Sequence, residues 1–302
     1  MPPLSPAALA RHRRRNRRDS TVILAGIGGL MALAGWLVAG PEGILWSVLA
    51  TSLALLLQPG RSTALLRALW GAERLSPLQA PGLYRMLAEL AERAGLERVP
   101  PLYYLRRPEV VALSTGWGRD AAVMVSDGLL RVMPPRELAA VLAHEVSHLR
   151  HGDLKILRLA DAAGQLTRLL SLFGLVLVVF YLPSAVAMGL DLPLLGVLLL
   201  VVTPVASDLM TLKLSRTREF AADAGAAELT GDPHALMTAL DRLGGGWERM
   251  GSPRRFLSLI RTHPTTAERL ARLAELAPAP EPRRLIPPEV LLVRGLLTGR
   301  RW

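Results

Sequence analysis

The sequence predicts a mainly α-helical membrane protein with four transmembrane helices and a small β-sheet in its water-exposed part. Three observations carry this. Long stretches contain no charge, apolar residues elsewhere recur at helical spacing, and three short runs rich in Val, Tyr and Leu are set apart by Gly, Pro, Asp and Arg. The chain has 302 residues, 51% of them hydrophobic, and a mean hydropathy of +0.31, which points toward a membrane. It contains no cysteine, so disulfides and thiolate-bound metals are excluded. Its formal net charge is +11, and all 36 basic residues except Lys155 and Lys213 are arginine.

Residues 1–20 read as a basic tail, with six arginines between residues 11 and 18 and His12 among them. Thr21 to Ala39 is nineteen residues without charge, and the turn Pro41-Glu42-Gly43 joins it to a shorter apolar run, Ile44 to Leu57. A bilayer core takes about 20 helical residues, so residues 21–58 form a tight hairpin whose second arm is marginal in length. The first run is longer than a signal-peptide core and a second follows at once, which favours a retained anchor. Leu169 to Ala206 has a single charge, Asp191, in thirty-eight residues. That is too long for one span and divides into two, with the turn between Pro183 and Pro193. Neither predicted far-side turn, 40–43 or 183–193, holds Lys or Arg. The positive-inside rule therefore places the N-terminus, residues 59–168 and residues 207–302 in the cytoplasm of a multi-pass inner-membrane protein. The arginines are a topology and lipid-surface feature, with the bilayer as partner. No aromatic-interleaved basic motif or zinc-finger spacing marks a nucleic-acid binder.

Within residues 59–168, Leu83, Met86, Leu87, Leu90 and Ala91 repeat at helical spacing between Gly82 and Gly95. Pro101–Leu105, Val110–Ser114 and Ala121–Val125 follow as strands of a small antiparallel sheet. Ala121, Ala122, Val123, Met124 and Val125 alternate little and are expected at the sheet edge. An edge strand beside a protease site can hold an extended peptide through main-chain hydrogen bonds, although core packing is the commoner role of such a strand.

The chemistry lies in Val141-Leu142-Ala143-His144-Glu145-Val146-Ser147-His148-Leu149. Pro134 and Pro135 suit a first helical turn, Glu137 complements the dipole, and Leu138, Val141, Leu142 and Leu149 form an apolar stripe. On that helix His144 and His148 face the same way with Glu145 beside them, the arrangement of a zinc hydrolase. Both imidazoles reach one Zn²⁺, a third ligand and a water complete it, and Glu145 serves as the base. Taken alone, the pattern is also met as a stray histidine pair on a surface helix.

Residues 207–277 carry the alanine-rich helical sequence 215–227. Glu219 and Asp223 lie one turn apart on it. Without cysteine the third ligand is a histidine or a carboxylate, and Glu219 is the candidate, with Asp223 as the acceptor that orients a ligating imidazole. By themselves the two acids are as well read as solvated carboxylates balanced by Arg216 and Arg218. His151 follows His148 closely and reads as a helix-end residue, and His234 as surface. Thr265 and Glu268 form a capping box, which places His263 on the loop before a helix. Packing is the default role of His263, and contact with substrate or transition state the alternative. Residues 278–302 are a proline-rich linker and a tail.

His144-Glu145-x-x-His148 with Gly152-Asp153, then two membrane segments, then Arg218-Glu219-Phe220-x-Ala222-Asp223, then Thr262-His263-Pro264 before a helix, together resemble the HtpX-type membrane zinc metalloproteases. These are gluzincins related to the CAAX prenyl proteases. The resemblance covers most of residues 20–276, including the leading hairpin. It implies a zincin-like catalytic domain, an endopeptidase acting at the cytoplasmic face, and substrates that are proteins or peptides, chiefly misfolded membrane proteins, in quality control and stress response. Val111-Ala112-Leu113-Ser114 stands where the family has an Asn-Ala-Phe-Ala-type stretch, and Thr265 and Thr266 replace the usual proline and acid. These departures leave the metal ligands intact and bear on substrate preference. Two rivals are an intramembrane zinc protease, against which Arg136, Glu137, Arg150 and Asp153 bracket the motif too closely, and a catalytically silent membrane scaffold.

Overall fold

The computed structural model describes residues 4–57, 70–189, 194–248 and 264–277. His263 and the expected C-terminal tail lie outside the described residues. In chain order the elements are α1 (Pro6–Leu57), β1 (Glu73–Arg74), α2 (Pro81–Arg93), β2 (Leu102–Leu105), β3 (Ala112–Thr115), β4 (Ala122–Ser126), α3 (Asp127–Val132), α4 (Pro135–His151), α5 (Asp153–Ala187), α6 (Leu194–Thr230), α7 (Pro233–Glu248) and α8 (Thr266–Ala274).

The basic N-terminal segment differs from the expected tail. Ala8, His12, Asn16, Ser20, Ile23 and Ile27 recur every three or four residues and all are buried, so they form one helix face. Ala8 joins the core of the water-exposed part, and His12 Nε2 lies 2.9 Å from Glu275 Oε2. This stripe of small and polar residues is masked in the sequence by the arginines on the other faces.

At Ala39 and Gly40 the dihedrals leave the helical region, Gly40 with φ 63° and ψ −149°, and the chain doubles back. Gly35 meets Gly43 backbone to backbone, with no room for a Cβ on either, and Thr51 Oγ1 sits 3.0 Å from Met31 Sδ. Close approach of this kind requires glycine.

Among the described residues, three helices are long and apolar enough to cross a membrane: α1, α5 and α6. Leu169, Leu172, Phe173 and Phe180 on α5 and Leu195, Leu198 and Val205 on α6 stand exposed, more apolar surface than a soluble protein presents. Charge returns at Arg168 and Asp208, which pair across the two helices. Beyond Asp208, α6 continues unbroken to Thr230, 37 residues in all and so about 55 Å.

The sheet has the order β1-β2-β4-β3. β1 with β2 and β3 with β4 are antiparallel, but β2 and β4 run parallel. The sheet is therefore mixed, because β3 lies in the connection between β2 and β4 and returns them in the same direction. A second correction concerns the edge. Ala122, Val123, Met124 and Val125 occupy the central strand β4, all buried, with Ala121 just before it, and the edge on that side is β3. A strand covered on both faces reads as an unbroken apolar run, so the weak alternation of 121–125 marked the centre. The main core lies between this sheet, α2 and the helical layer. Leu138, Leu142 and Val146 of α4 join Val123 and Val125 to Ala224 and Ala227 of α6 and Leu273 of α8.

Candidate active site

α4 is delimited as its sequence dictates. Pro135 opens it, and Gly152 ends it in the left-handed region at φ 64° and ψ 32°, where a side chain would be strained. α5 starts at the next residue, and this one-glycine corner turns Asp153 back onto His148. Asp153 Oδ2 lies 2.6 Å from His148 Nδ1. At its other end α4 is clamped to its surroundings by Arg136 with Asp232 at 2.6 and 2.9 Å and by Glu137 with Arg242 at 2.8 and 3.1 Å.

His144 and His148 stand one turn apart on the same face, their rings edge to face with centroids 4.7 Å apart and Nε2 atoms 3.1 Å apart. The alanine-rich part of α6 explains what faces them. Gly225 packs on Ser147 so closely that a Cβ there would overlap the hydroxyl, and Ala222 and Ala226 are fully buried nearby in sequence. Small residues let the two helices approach, and that brings Glu219 in. Its Oε2 is 3.6 Å from His144 Nε2 and its Oε1 is 3.8 Å from His148 Nε2. Asp223, one turn on, places Oδ1 3.0 Å from His144 Nδ1.

One donor atom each from His144, His148 and Glu219 falls within a mutual 4.8 Å, a nitrogen, nitrogen, oxygen set suited to a divalent transition metal. Glu145, on the same helix, is buried beside them. Burial works against a charge on His144, but Asp223 and Glu219 outweigh it and push its pKa up to about 10, with Arg269 opposing.

A model of peptidase family M48 matches residues 77–277, which contain every residue of this cluster. The chain belongs to peptidase family M48. It is 30% identical over 297 residues to a protease HtpX homolog of Burkholderia ambifaria, covering 85% of this chain and 96% of that one. To a protease HtpX homolog of Trichormus variabilis it is 36% identical over 236 residues, covering 76% and 80%. In fold it is similar to Ste24p of S. mikatae, with a TM-score of 0.54 at 22% identity, covering 87% of this chain and 67% of that one. As an M48 peptidase related to the HtpX proteases, with its long apolar helices, it is a membrane metalloprotease.

The cluster thus unites His144, His148, Glu219 and Asp223, with Glu145 next to His144 on α4. His151 is not in it: its Nδ1 is 3.2 Å from Ser147 Oγ, and burial pushes its pKa below the ordinary value. His234 is exposed near the start of α7. Three residues of this M48 centre escaped the sequence reading. Asp153 enters the sequence reading as part of a motif and as a charge near it, with no role behind His148. Arg218, in the sequence reading a motif residue or a surface charge balance, donates to Asp153 from Nε at 2.6 Å. Arg269 of α8 donates to both oxygens of Asp223 at 2.8 and 2.6 Å, and its Nη1 lies 3.7 Å from Glu219 Oε2. Arg269 carries no signal of its own in the sequence beyond following the capping box.

Proposed function

We propose that this membrane metalloprotease is a zinc endopeptidase that cleaves unfolded stretches of membrane proteins at the cytoplasmic face, as part of quality control. The observation that carries the reading is the pairing of both Nδ1 atoms with aspartates, which leaves His144 and His148 to present Nε2 beside Glu219. Two nitrogens each about 2.0 to 2.1 Å from a tetrahedral zinc stand about 3.3 Å apart, and these stand 3.1 Å apart. Bound zinc supplies a Lewis acid that acidifies water and polarises the scissile carbonyl. His144 gives up a proton to take that role, so metal uptake and proton release are linked. Glu145 accepts the proton of the attacking water on its carboxylate and delivers it to the leaving amine nitrogen. The position of β3 as an outer strand of the sheet among the described residues, packed against α4, supports a substrate chain held as an added strand by main-chain hydrogen bonds. Dialysis against a strong chelator is expected to end cleavage of an unfolded protein, and one equivalent of zinc to restore it. Activity that survives metal removal sinks the reading.

The doubled-back α1, with α5 and α6, supports four spans, residues 21–39, 44–57, 169–187 and 194–206. The arginines of α1 and the uncharged far-side turns support a cytoplasmic site. A reporter fused after Gly43 is expected to be reachable only from outside the cytoplasm, and one after Gly152 only from inside. Swapped accessibility overturns the orientation. The ion pairs that clamp α4 argue against an intramembrane position for the site.

A further inference from the structure

Behind each histidine of the cluster stands a carboxylate, and behind each carboxylate an arginine, Arg218 buried and Arg269 largely withdrawn from solvent. Asp153 Oδ2 lies 2.6 Å from His148 Nδ1, and its Oδ1 accepts from Arg218 Nε at 2.6 Å. Asp223 Oδ1 lies 3.0 Å from His144 Nδ1 and accepts from Arg269 Nη2 at 2.6 Å, while its Oδ2 accepts from Arg269 Nε at 2.8 Å. Both aspartate side chains are almost fully buried, at 2% and 3% exposure, and the arginines are at 10% and 14%. The four residues come from α5, α6 and α8, so no single helix imposes the pattern. Burying a guanidinium is costly, and a surface ion pair would serve the fold as well. The arrangement calls for a reason other than stability.

Charge supplies one. With both histidines neutral, as ligands are, Glu145, Asp153, Glu219 and Asp223 bring four negative charges into the centre and Arg218 and Arg269 two positive ones, leaving the deficit that one divalent cation cancels. Geometry supplies another. A neutral imidazole can carry its proton on either nitrogen, and a carboxylate free to rotate does not choose between them. A planar guanidinium fork holds a carboxylate in one orientation, which a lysine ammonium does not.

Resting on the zinc reading above, we propose that Arg218 and Arg269 are positioning residues of the metal centre. They fix Asp153 and Asp223 so that His148 and His144 donate from Nδ1 and offer Nε2 to the metal. Arg269 thereby makes the centre depend on α8, an element that contributes no metal ligand of its own.

The test measures zinc affinity of the full-length protein in detergent by competition with a chelator, together with the melting temperature of the metal-free form. Arg269→Gln is expected to weaken zinc binding about 10- to 100-fold, the range for groups that act through a ligand. Asp223→Asn should weaken it similarly, and the double variant should lose no more than either alone. Arg269→Lys, which keeps the charge without the fork, should recover only part of the loss, and it stands in should the Gln variant fail to fold. The same pattern is expected for Arg218 with Asp153. A variant that melts lower but binds zinc as well as the parent shows a packing role and overturns the proposal. So does tighter binding, which is the result of an added net negative charge alone. Additive losses in the double variant overturn it too. Failure of the parent protein to bind zinc defeats the zinc reading instead.

Discussion

A Glu145→Gln protein is expected to lose cleavage of an unfolded protein substrate while keeping about one zinc per chain. Glutamine preserves the shape of the side chain and cannot take up a proton. Glu145 is buried beside His144 and is not among the three clustered donor residues, so its replacement leaves those donors in place. Removing a positioned general base lowers rates by about 10²- to 10⁴-fold, or roughly 3 to 5 kcal/mol of transition-state stabilisation. Metal analysis and a cleavage assay on the same preparation check both halves. Loss of metal in step with activity would show that Glu145 serves the metal and not the proton.

Replacing Glu219 has the second large effect, and a different one. Zinc held by two histidines alone lacks the usual third protein ligand. Glu219→Ala also removes the carboxylate 3.7 Å from Arg269 Nη1, and with it part of the negative charge that attracts a cation. Zinc affinity is therefore expected to fall by more than the roughly 100-fold that bounds changes acting through a ligand. Competition against a graded series of chelators measures this. Full occupancy in the variant would place the third ligand elsewhere, with His151 and His263 next to be replaced.

The contrast between these two residues and the arginines behind the site shows what the sequence made legible. His144, Glu145 and His148 share one helix, and the helical period alone sets them side by side. Glu219 and Asp223 were reachable because they too share a helix and because a zinc site needs a third donor. Arg218 and Arg269 pair with carboxylates 65 and 46 residues away, and nothing local separates a buried arginine from a solvated one. The sheet failed in a similar way. Three of its four strands are legible to within a residue or two and the two-residue β1 is not, while the position of β4 between β2 and β3 depends on pairing partners and not on the strand's own residues. The N-terminal helix is hidden by composition, since its buried stripe is made largely of polar residues, His12, Asn16 and Ser20 following Ala8.

That α6 runs without a break from the apolar layer to Glu219 makes the helix a ruler. From Asp208, where charge reappears, to Glu219 is eleven residues of continuous helix, which puts Glu219 about 16 Å along the helix from Asp208. An extended chain covers about 3.3 Å per residue, so under the proposed topology about five extended residues would span the distance from the bilayer to the cutting point. In the proposed quality-control role, the length of this one helix would sort membrane substrates by how far a segment can be drawn out, without a recognition sequence.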